Sequence, residues 1–281
     1  MPKTVLITGC SSGFGEACVK RFAQAGWNVV ATMRRPEVDP GLASLPGVMV
    51  IRLDVQDDSS IEDAVRSAIA KFGTLDVVVN NAGFGLFGIF EATSREKICE
   101  QFDVNLFGVM NVVRATLPHF RQKRSGLFIN VSSGAGVFGL PMISLYNASK
   151  FALEGFSESL SYELAALGIG VKIIEPGGVL DTRFTSRSGT ELSQISTPSE
   201  YANFVTATGK IFDGLRHARG AATSEGVAEV IFTAATDGKE QLRYVATDDI
   251  RPLIAKRRES SEEEYMAFMR ERMSPNLKSI P

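Results

Sequence analysis

Tyr146 and Lys150, in the stretch "YNASK", stand four residues apart. On a helix that spacing places two side chains on one face, about 6 Å apart. A phenol with its ordinary pKa near 10 can give up a proton but is a poor base at neutral pH. A neighbouring ammonium favours the phenolate and lowers that pKa. Such a pair has the chemistry to protonate an oxygen on which negative charge develops. The same five residues also suit an ordinary solvated helix. Of the five tyrosines only Tyr146 has a lysine at this spacing, so the meaning of the pair depends on the rest of the chain.

A second feature lies near the start. "TGCSSGFG" (8–15) follows the apolar run "VLI" and precedes a helical pattern. Gly9, Gly13 and Gly15 permit a tight turn, close backbone approach to a pyrophosphate and close helix packing. The helix start supplies free N–H donors and a partial positive charge. The spacing is G-x-x-x-G-x-G rather than G-x-G-x-x-G. In the order strand, glycine turn, helix, it points to a dinucleotide. An acid at the end of the second strand would bind ribose hydroxyls, whereas arginine there accommodates a 2′-phosphate. Here "TMRRP" carries Arg34 and Arg35, with no acid before Glu37. That favours NADP(H) over NAD(H), with Ser12 as a further hydroxyl donor.

These groups need a frame. Short apolar runs at 3–8, 28–33, 48–53, 75–80, 126–131, 170–175 and 242–246 alternate with helical patterns at about 13–25, 58–72, 94–123, 144–167 and 224–236. Several runs are continuously apolar, as in parallel strands buried on both faces. "SIEDAVRSAIAKFG" puts Ile61, Val65, Ala68, Ile69 and Phe72 on one helical face before Gly73. The alternation predicts an α/β fold: one doubly wound domain over 1–255, a seven-stranded parallel sheet with helices on both faces. Residues 177–223 contain no strand pattern and read as an insertion carrying a lid, a binding wall or short helices. Residues 256–281 form a charged tail. Tyr265, Phe268, Met269 and Met273 share a helical face there, which suits docking, while the charge suits a solvated tail.

Composition narrows the function classes. At 281 residues, 44% hydrophobic and with net charge -2, the chain is an ordinary globular protein with no field drawing it to nucleic acid or anionic membrane. Cys10, Cys18 and Cys99 show no CxxC spacing, and the two histidines are too few for a His-rich metal centre. No run approaches a membrane span and no signal peptide is evident, so a reducing, cytoplasmic setting is expected.

"TGCSSGFG", "NNAG" (80–83), Asn105, "NVSS" (130–133), "YNASK" and "PGGV" (176–179) resemble, in order and spacing, the short-chain dehydrogenases/reductases. The resemblance covers about residues 3–250. "NNAGFGLFG", the Arg34 position and "FALEGFSESL" look like the NADP-dependent hydroxysteroid- and retinol-dehydrogenase-like members. It implies a Rossmann fold and a catalytic set of Asn105, Ser133, Tyr146 and Lys150. In this set Ser133 donates to the substrate oxygen, Lys150 also holds the nicotinamide ribose, and Asn105 holds a water linking Lys150 to solvent. It further implies that Gly9, Ser11, Ser12, Gly13, Phe14 and Gly15 border the cofactor. Asp54 and Val55 would flank the adenine, and Asn81, Ala82 and Gly83 the ribose. Pro176, Gly177, Val179 and Thr182 would cover the nicotinamide. The usual P-G-x-V-x-T would place Thr at the position of Asp181, so either Asp181 or Thr182 meets the carboxamide. Homodimers or homotetramers are common in the family.

Candidate substrate walls are Phe84, Leu86, Phe87, Phe138, Leu140 and Met142, with part of 183–220. An apolar cleft without a charged cluster suits a hydrophobic ketone, aldehyde or secondary alcohol. The expected activity is NADP(H)-dependent oxidoreduction. A non-catalytic, NADP-sensing regulator on the same fold is the alternative, but it would have no need of Tyr146. Sugar-nucleotide epimerases share Tyr and Lys but usually carry a different glycine spacing.

Overall fold

The computed structural model describes residues 2–179, 181–182, 196–218 and 222–274. Seven strands form one parallel sheet: β1 (Thr4–Ile7), β2 (Asn28–Met33), β3 (Val48–Arg52), β4 (Val77–Asn80), β5 (Gly126–Val131), β6 (Ile169–Glu175) and β7 (Arg243–Val245). Their spatial order is β3-β2-β1-β4-β5-β6-β7, the doubly wound arrangement expected of the alternating runs. β1 pairs with β2 through Val5↔Val29 and with β4 through Val5↔Val77. The order reverses between β1 and β4, which opens a crevice at their carboxyl ends.

Both faces of the sheet are covered because successive side chains point to opposite sides. Val5, Ile7, Val29, Ala31, Val77 and Val79 pack on one side with Phe22 of helix α1 (Gly13–Gln24) and Val227 and Ile231 of helix α7 (Ser224–Thr236). Leu6, Val30 and Val78 pack on the other. They meet Ile61 of α2 (Asp58–Phe72), Val112 of α4 (Gly108–Lys123) and Leu153 of α5 (Ser144–Ala165). α2 starts where the Asp57 carboxylate accepts from Ser60 N–H, and stops at Gly73, whose φ of 77° extends no helix.

Three departures from the sequence pattern matter for the site. The expected single helix over 94–123 is α3 (Arg95–Phe102) and α4 joined by a π-helical turn, Asp103–Phe107. The hydrophobic period continues through that turn, so the pattern could not reveal it; such π turns recur at functional sites. Within 177–223, the described residues hold a helix of 17 residues, α6 (Ala202–Ala218). Residues 183–195 and 219–220 of the proposed binding-wall stretch 183–220 lie outside the described residues. The 255/256 boundary falls inside α8 (Arg251–Glu259), and α9 (Glu262–Met273) follows at once. Tyr265, Met269 and Met273 bury against Val137, Phe138, Ile250 and Ile254, so the apolar face of this segment docks on the body. No described helix is long and apolar enough to cross a membrane.

Candidate active site

The crevice holds a cavity of about 800 Å³ that runs from the glycine turn to Tyr146. At one end the turn after β1 is built from backbone conformations that only glycine takes readily. Gly9 has φ 74°, and a β-carbon there would sit 2.9 Å from the Ala82 Cα. Gly13 has φ 57° and faces Thr182 across the cavity. Gly15 does not line the cavity; a β-carbon on it would lie 2.2 Å from the Gly9 carbonyl oxygen, so it sets how closely α1 packs on the turn. Ser12 caps α1 without a side-chain hydrogen bond to the helix, leaving its hydroxyl and the first N–H groups to the cavity. Ser11 and Phe14 line the same wall. This glycine-lined cradle at a helix start fits a pyrophosphate.

Arg34 and Arg35 emerge exposed from the end of β2 and line the cavity. Among the described residues neither guanidinium makes an ion pair or hydrogen bond, and Glu37 is exposed and away from the cavity. Asp54 and Val55 line it beyond β3, where the Asp54 Oδ1 accepts from Gln56 N–H at 3.2 Å. Asn81, Ala82 and Gly83 line it after β4. The Asn81 carboxamide is used by the scaffold: it donates to the Thr8 and Gly9 carbonyls at 2.8 and 3.2 Å, tying the two turns together.

Tyr146, Lys150 and Ser133 gather at the other end. The first two lie on α5, where Lys150 Nζ is 5.8 Å from the centroid of the Tyr146 ring. Both are buried, and Lys150 donates to the Val131 carbonyl at 2.8 Å. Ser133 lies just beyond β5, accepts from Ala135 N–H at 3.1 Å and donates to the Pro176 carbonyl at 3.4 Å. Burial pushes the Tyr146 phenol up to about 12, opposed by a hydrogen bond with Ser133. Burial lowers Lys150 to about 8, opposed by the Glu154 carboxylate. The expectation that Lys150 lowers the Tyr146 pKa is therefore corrected for this state. Loss of water disfavours the phenolate more than the Ser133 hydrogen bond favours it.

Asn105 does not line the cavity. It sits in the π-helical turn, buried, and its carboxamide accepts from Phe84 N–H at 3.0 Å. It donates to the Phe84 carbonyl at 2.8 Å and to Ser149 Oγ at 3.2 Å. Both amide donors are thus engaged by protein partners, and they fasten the 83–84 turn to α5.

The loop 176–179 lines the cavity opposite α5. Gly177 N–H donates to Thr247 Oγ1 at 2.8 Å and Gly178 N–H to Asp249 Oδ2 at 3.2 Å. A β-carbon on Gly177 would lie 2.3 Å from Asp249 Oδ1, so a larger residue would displace the Asp249 and Thr247 side chains that hold the loop. Val179 and Thr182 line the cavity. Asp181 turns away and accepts from Ser224 N–H and Oγ at 2.9 and 2.8 Å at the start of α7. Thr247 and Asp249 escaped the sequence reading because their partners lie 70 and 71 residues away and no local pattern marks them.

Of the predicted walls, Phe84, Phe87, Phe138 and Leu140 line the cavity. Leu86 packs with Phe84 and Leu145 instead, and Met142 takes φ 59° while its carbonyl accepts from Gly88 N–H. Phe212 of α6 brings part of the expected 183–220 stretch to the cavity, and unforeseen walls come from Leu253 of α8 and Met273 of α9. Among the described residues no His, Cys, Asp and Glu cluster could hold a metal ion.

Residues 3–192 match the family model for short chain dehydrogenases. The chain is 33% identical to mouse 17-beta-hydroxysteroid dehydrogenase type 1 over 99% of this chain and 83% of that protein. A short-chain dehydrogenase from Streptomyces avermitilis superposes with a TM-score of 0.80, at 31% identity, over 96% of each chain. Serine dehydrogenase in its closed form with NADP+ superposes with a TM-score of 0.73, at 28% identity, over 86% of this chain and 94% of that one. With the glycine cradle, the crevice and the buried Tyr146–Lys150 pair all in one cavity, these likenesses have a physical basis, and the chain belongs to the short-chain dehydrogenase family of oxidoreductases using a nicotinamide cofactor.

Proposed function

We propose that this protein is an NADP(H)-dependent oxidoreductase acting on a hydrophobic ketone or aldehyde, reversibly as a secondary-alcohol dehydrogenase. One observation carries the reading: a single cavity joins Arg34 and Arg35, which have no partner among the described residues, at one end to Ser133, Tyr146 and Lys150 at the other. Arg34 and Arg35 would hold the 2′-phosphate, and the turn at Gly9, Ser11, Ser12, Gly13 and Phe14 the pyrophosphate. Asp54 and Val55 would bound the adenine, and Asn81, Ala82 and Gly83 the ribose. Pro176, Gly177, Val179 and Thr182 would face the nicotinamide. Thr182 rather than Asp181 would meet its carboxamide: Thr182 lines the cavity, its hydroxyl donating to the Val179 carbonyl at 3.2 Å, whereas Asp181 lies off the cavity and is engaged by Ser224.

The bound nicotinamide supplies the hydride. Tyr146 holds the proton for the substrate oxygen, and its raised pKa keeps that proton in place across the neutral range. Ser133 donates a second hydrogen bond to that oxygen, so charge developing there meets two oriented donors. Lys150 places a positive charge beside the phenol as its proton leaves. Asn105 acts through structure, fixing the turn against which Lys150 packs.

The walls support an apolar substrate. Phe87 and Leu140 pack near Tyr146, and Phe87 meets Phe212 edge-on with ring centroids 6.1 Å apart. Mouse 17-beta-hydroxysteroid dehydrogenase is named for a substrate alcohol on an apolar frame. Exposed Phe151 and Tyr162 on α5 support a homodimer or homotetramer, for which sedimentation is the check. The cytoplasm is the proposed compartment. The test is nucleotide oxidation with a panel of hydrophobic ketones: NADPH is expected to outperform NADH, and an equal rate with NADH would overturn the cofactor assignment.

A further inference from the structure

Behind the Tyr146 end of the cavity, the interior holds a concentration of charge that the reaction as described does not use. Glu154 is one turn along α5 from Lys150 and is buried. Its Oε2 accepts from Arg243 Nε of β7 at 2.9 Å. Arg243 also donates to Glu158 and lies 3.6 Å from Glu175, the fully buried last residue of β6. Glu175 in turn pairs with Arg258 of α8. Three carboxylates thus face two guanidiniums, and Lys150 is the third cation.

The cluster reaches the site itself. Glu154 Oε1 and Ser132 Oγ are both buried without a hydrogen-bond partner among the described residues. A β-carbon on Gly136 would lie 2.7 Å from Ser132 Oγ, 2.9 Å from Glu154 Cγ and 3.1 Å from the Lys150 carbonyl oxygen. The Glu154 side chain, the backbone of α5 at Lys150 and the residue next to Ser133 therefore crowd around Gly136. The Ser132 hydroxyl is the group placed to serve the Glu154 carboxylate and favours its ionised form.

We infer that Glu154 is a positioning residue of the reaction: its carboxylate, oriented by Arg243, holds Lys150 as an ammonium behind Tyr146. The inference rests on the reading of Tyr146 and Lys150 as the reacting pair. The Lys150 ammonium has beside it the Tyr146 ring, the Val131 carbonyl and, across Gly83, the Asn105 carboxamide, and Glu154 lies one turn further along α5. Of these only Glu154 is anionic at neutral pH. The groups facing Glu154 are Lys150 and Glu158 from α5, Ser132 after β5, Glu175 of β6 and Arg243 of β7. Burial raises the Glu154 pKa and repulsion from Glu175 adds to it, while the Ser132 hydroxyl and the Arg243 guanidinium, bonded at 2.9 Å, favour the carboxylate. Over one helical turn in a poorly screened interior, that charge is strong enough to decide whether Lys150 keeps its proton. Arg258 ties the arrangement to the C-terminal helices, so the docked tail helps to fix the charge balance behind the site.

The test uses the full chain as wild type, Glu154→Gln, Glu154→Leu and the charge-retaining Glu154→Asp. NADPH affinity by equilibrium fluorescence and kcat/KM for NADPH are each followed from pH 6 to 10. The two neutral variants keep a volume close to glutamate, so failure of one to fold leaves the other. Their loss of NADPH affinity with rising pH should set in about one pH unit lower than in wild type, roughly tenfold weaker binding near pH 8, and Glu154→Asp should return towards wild type. A folded neutral variant with an unmoved profile would overturn the inference, as would a Glu154→Asp profile displaced as far as that of Glu154→Gln. Tyr146→Phe, measured alongside, separates the two readings. Turnover retained there would overturn the catalytic assignment, while the binding profile still reports on Glu154 and Lys150.

Discussion

Lys150 Nζ lies 5.8 Å from the centroid of the Tyr146 ring and donates to the Val131 carbonyl at 2.8 Å. The two groups are buried together but respond to burial in opposite senses. Tyr146 moves up to about 12 and Lys150 down to about 8, because in each case the charged form is the one that loses water. The first of the pair to lose its proton as pH rises is therefore the lysine.

That order sets a pH dependence. Lys150 in the folded, nucleotide-free protein lies below its ordinary 10.5, so its ammonium is present in the neutral range and is lost as pH passes about 8. The kcat/KM for the nucleotide reports groups of the free enzyme. It is expected to stay level from about pH 6 to 7 and to fall above about 8, a window drawn from the Lys150 value. A profile level to pH 10 would show that Lys150 is not the titrating group.

Arg34 is the expected source of discrimination between the two nucleotides. A charge-assisted hydrogen bond is worth about 1.5–3 kcal/mol. Arg34→Ala should thus erode the NADPH-over-NADH preference roughly 10- to 100-fold, with NADH affinity little changed. Paired fluorescence titrations measure it, and an unaltered ratio would remove Arg34 from the phosphate site.

Asp181 and Thr182 are adjacent but face different partners, and their substitutions should separate cleanly. Asp181→Ala removes two acceptors at the start of α7 and should cost about 1–2 kcal/mol in a denaturation experiment, with NADPH affinity intact. Thr182→Val should leave stability nearly unchanged and weaken NADPH. The reverse pattern would place the carboxamide at Asp181.

Met273 ends α9 and lines the cavity, so the docked C-terminal helix bears on substrate binding. Met273→Ala removes about 1–2 kcal/mol of apolar contact. The KM for a hydrophobic ketone is expected to rise roughly 5- to 30-fold with NADPH affinity unaltered. An unchanged KM across the ketone panel would put the substrate elsewhere in the cavity.

Much of this was readable in the chain because the relevant forces are local or periodic. Val77, Val78 and Val79 read as a strand buried on both faces since nothing in that run is polar, and they alternate between the two cores. The glycine turn was readable because Gly9 and Gly13 answer a backbone need that other residues meet poorly. The π-helical turn at Asn105 was not, since one extra residue per turn hardly disturbs an apolar period. Asp249 and Glu154, and the role of Asp181 at the start of α7, were missed for another reason: their partners Gly178, Arg243 and Ser224 come from distant elements that only the folded sheet brings near. The pKa of Tyr146 was misjudged because spacing reports the neighbouring charge but not the depth of burial.

The central claim is that Tyr146 delivers the proton. Tyr146→Phe keeps the ring and its packing while removing only the hydroxyl. In single-turnover NADPH oxidation with a hydrophobic ketone that the wild type reduces, the variant is expected to lose about 10²- to 10⁴-fold in rate while binding NADPH as before. A wild-type rate in the folded, NADPH-binding variant would contradict the account.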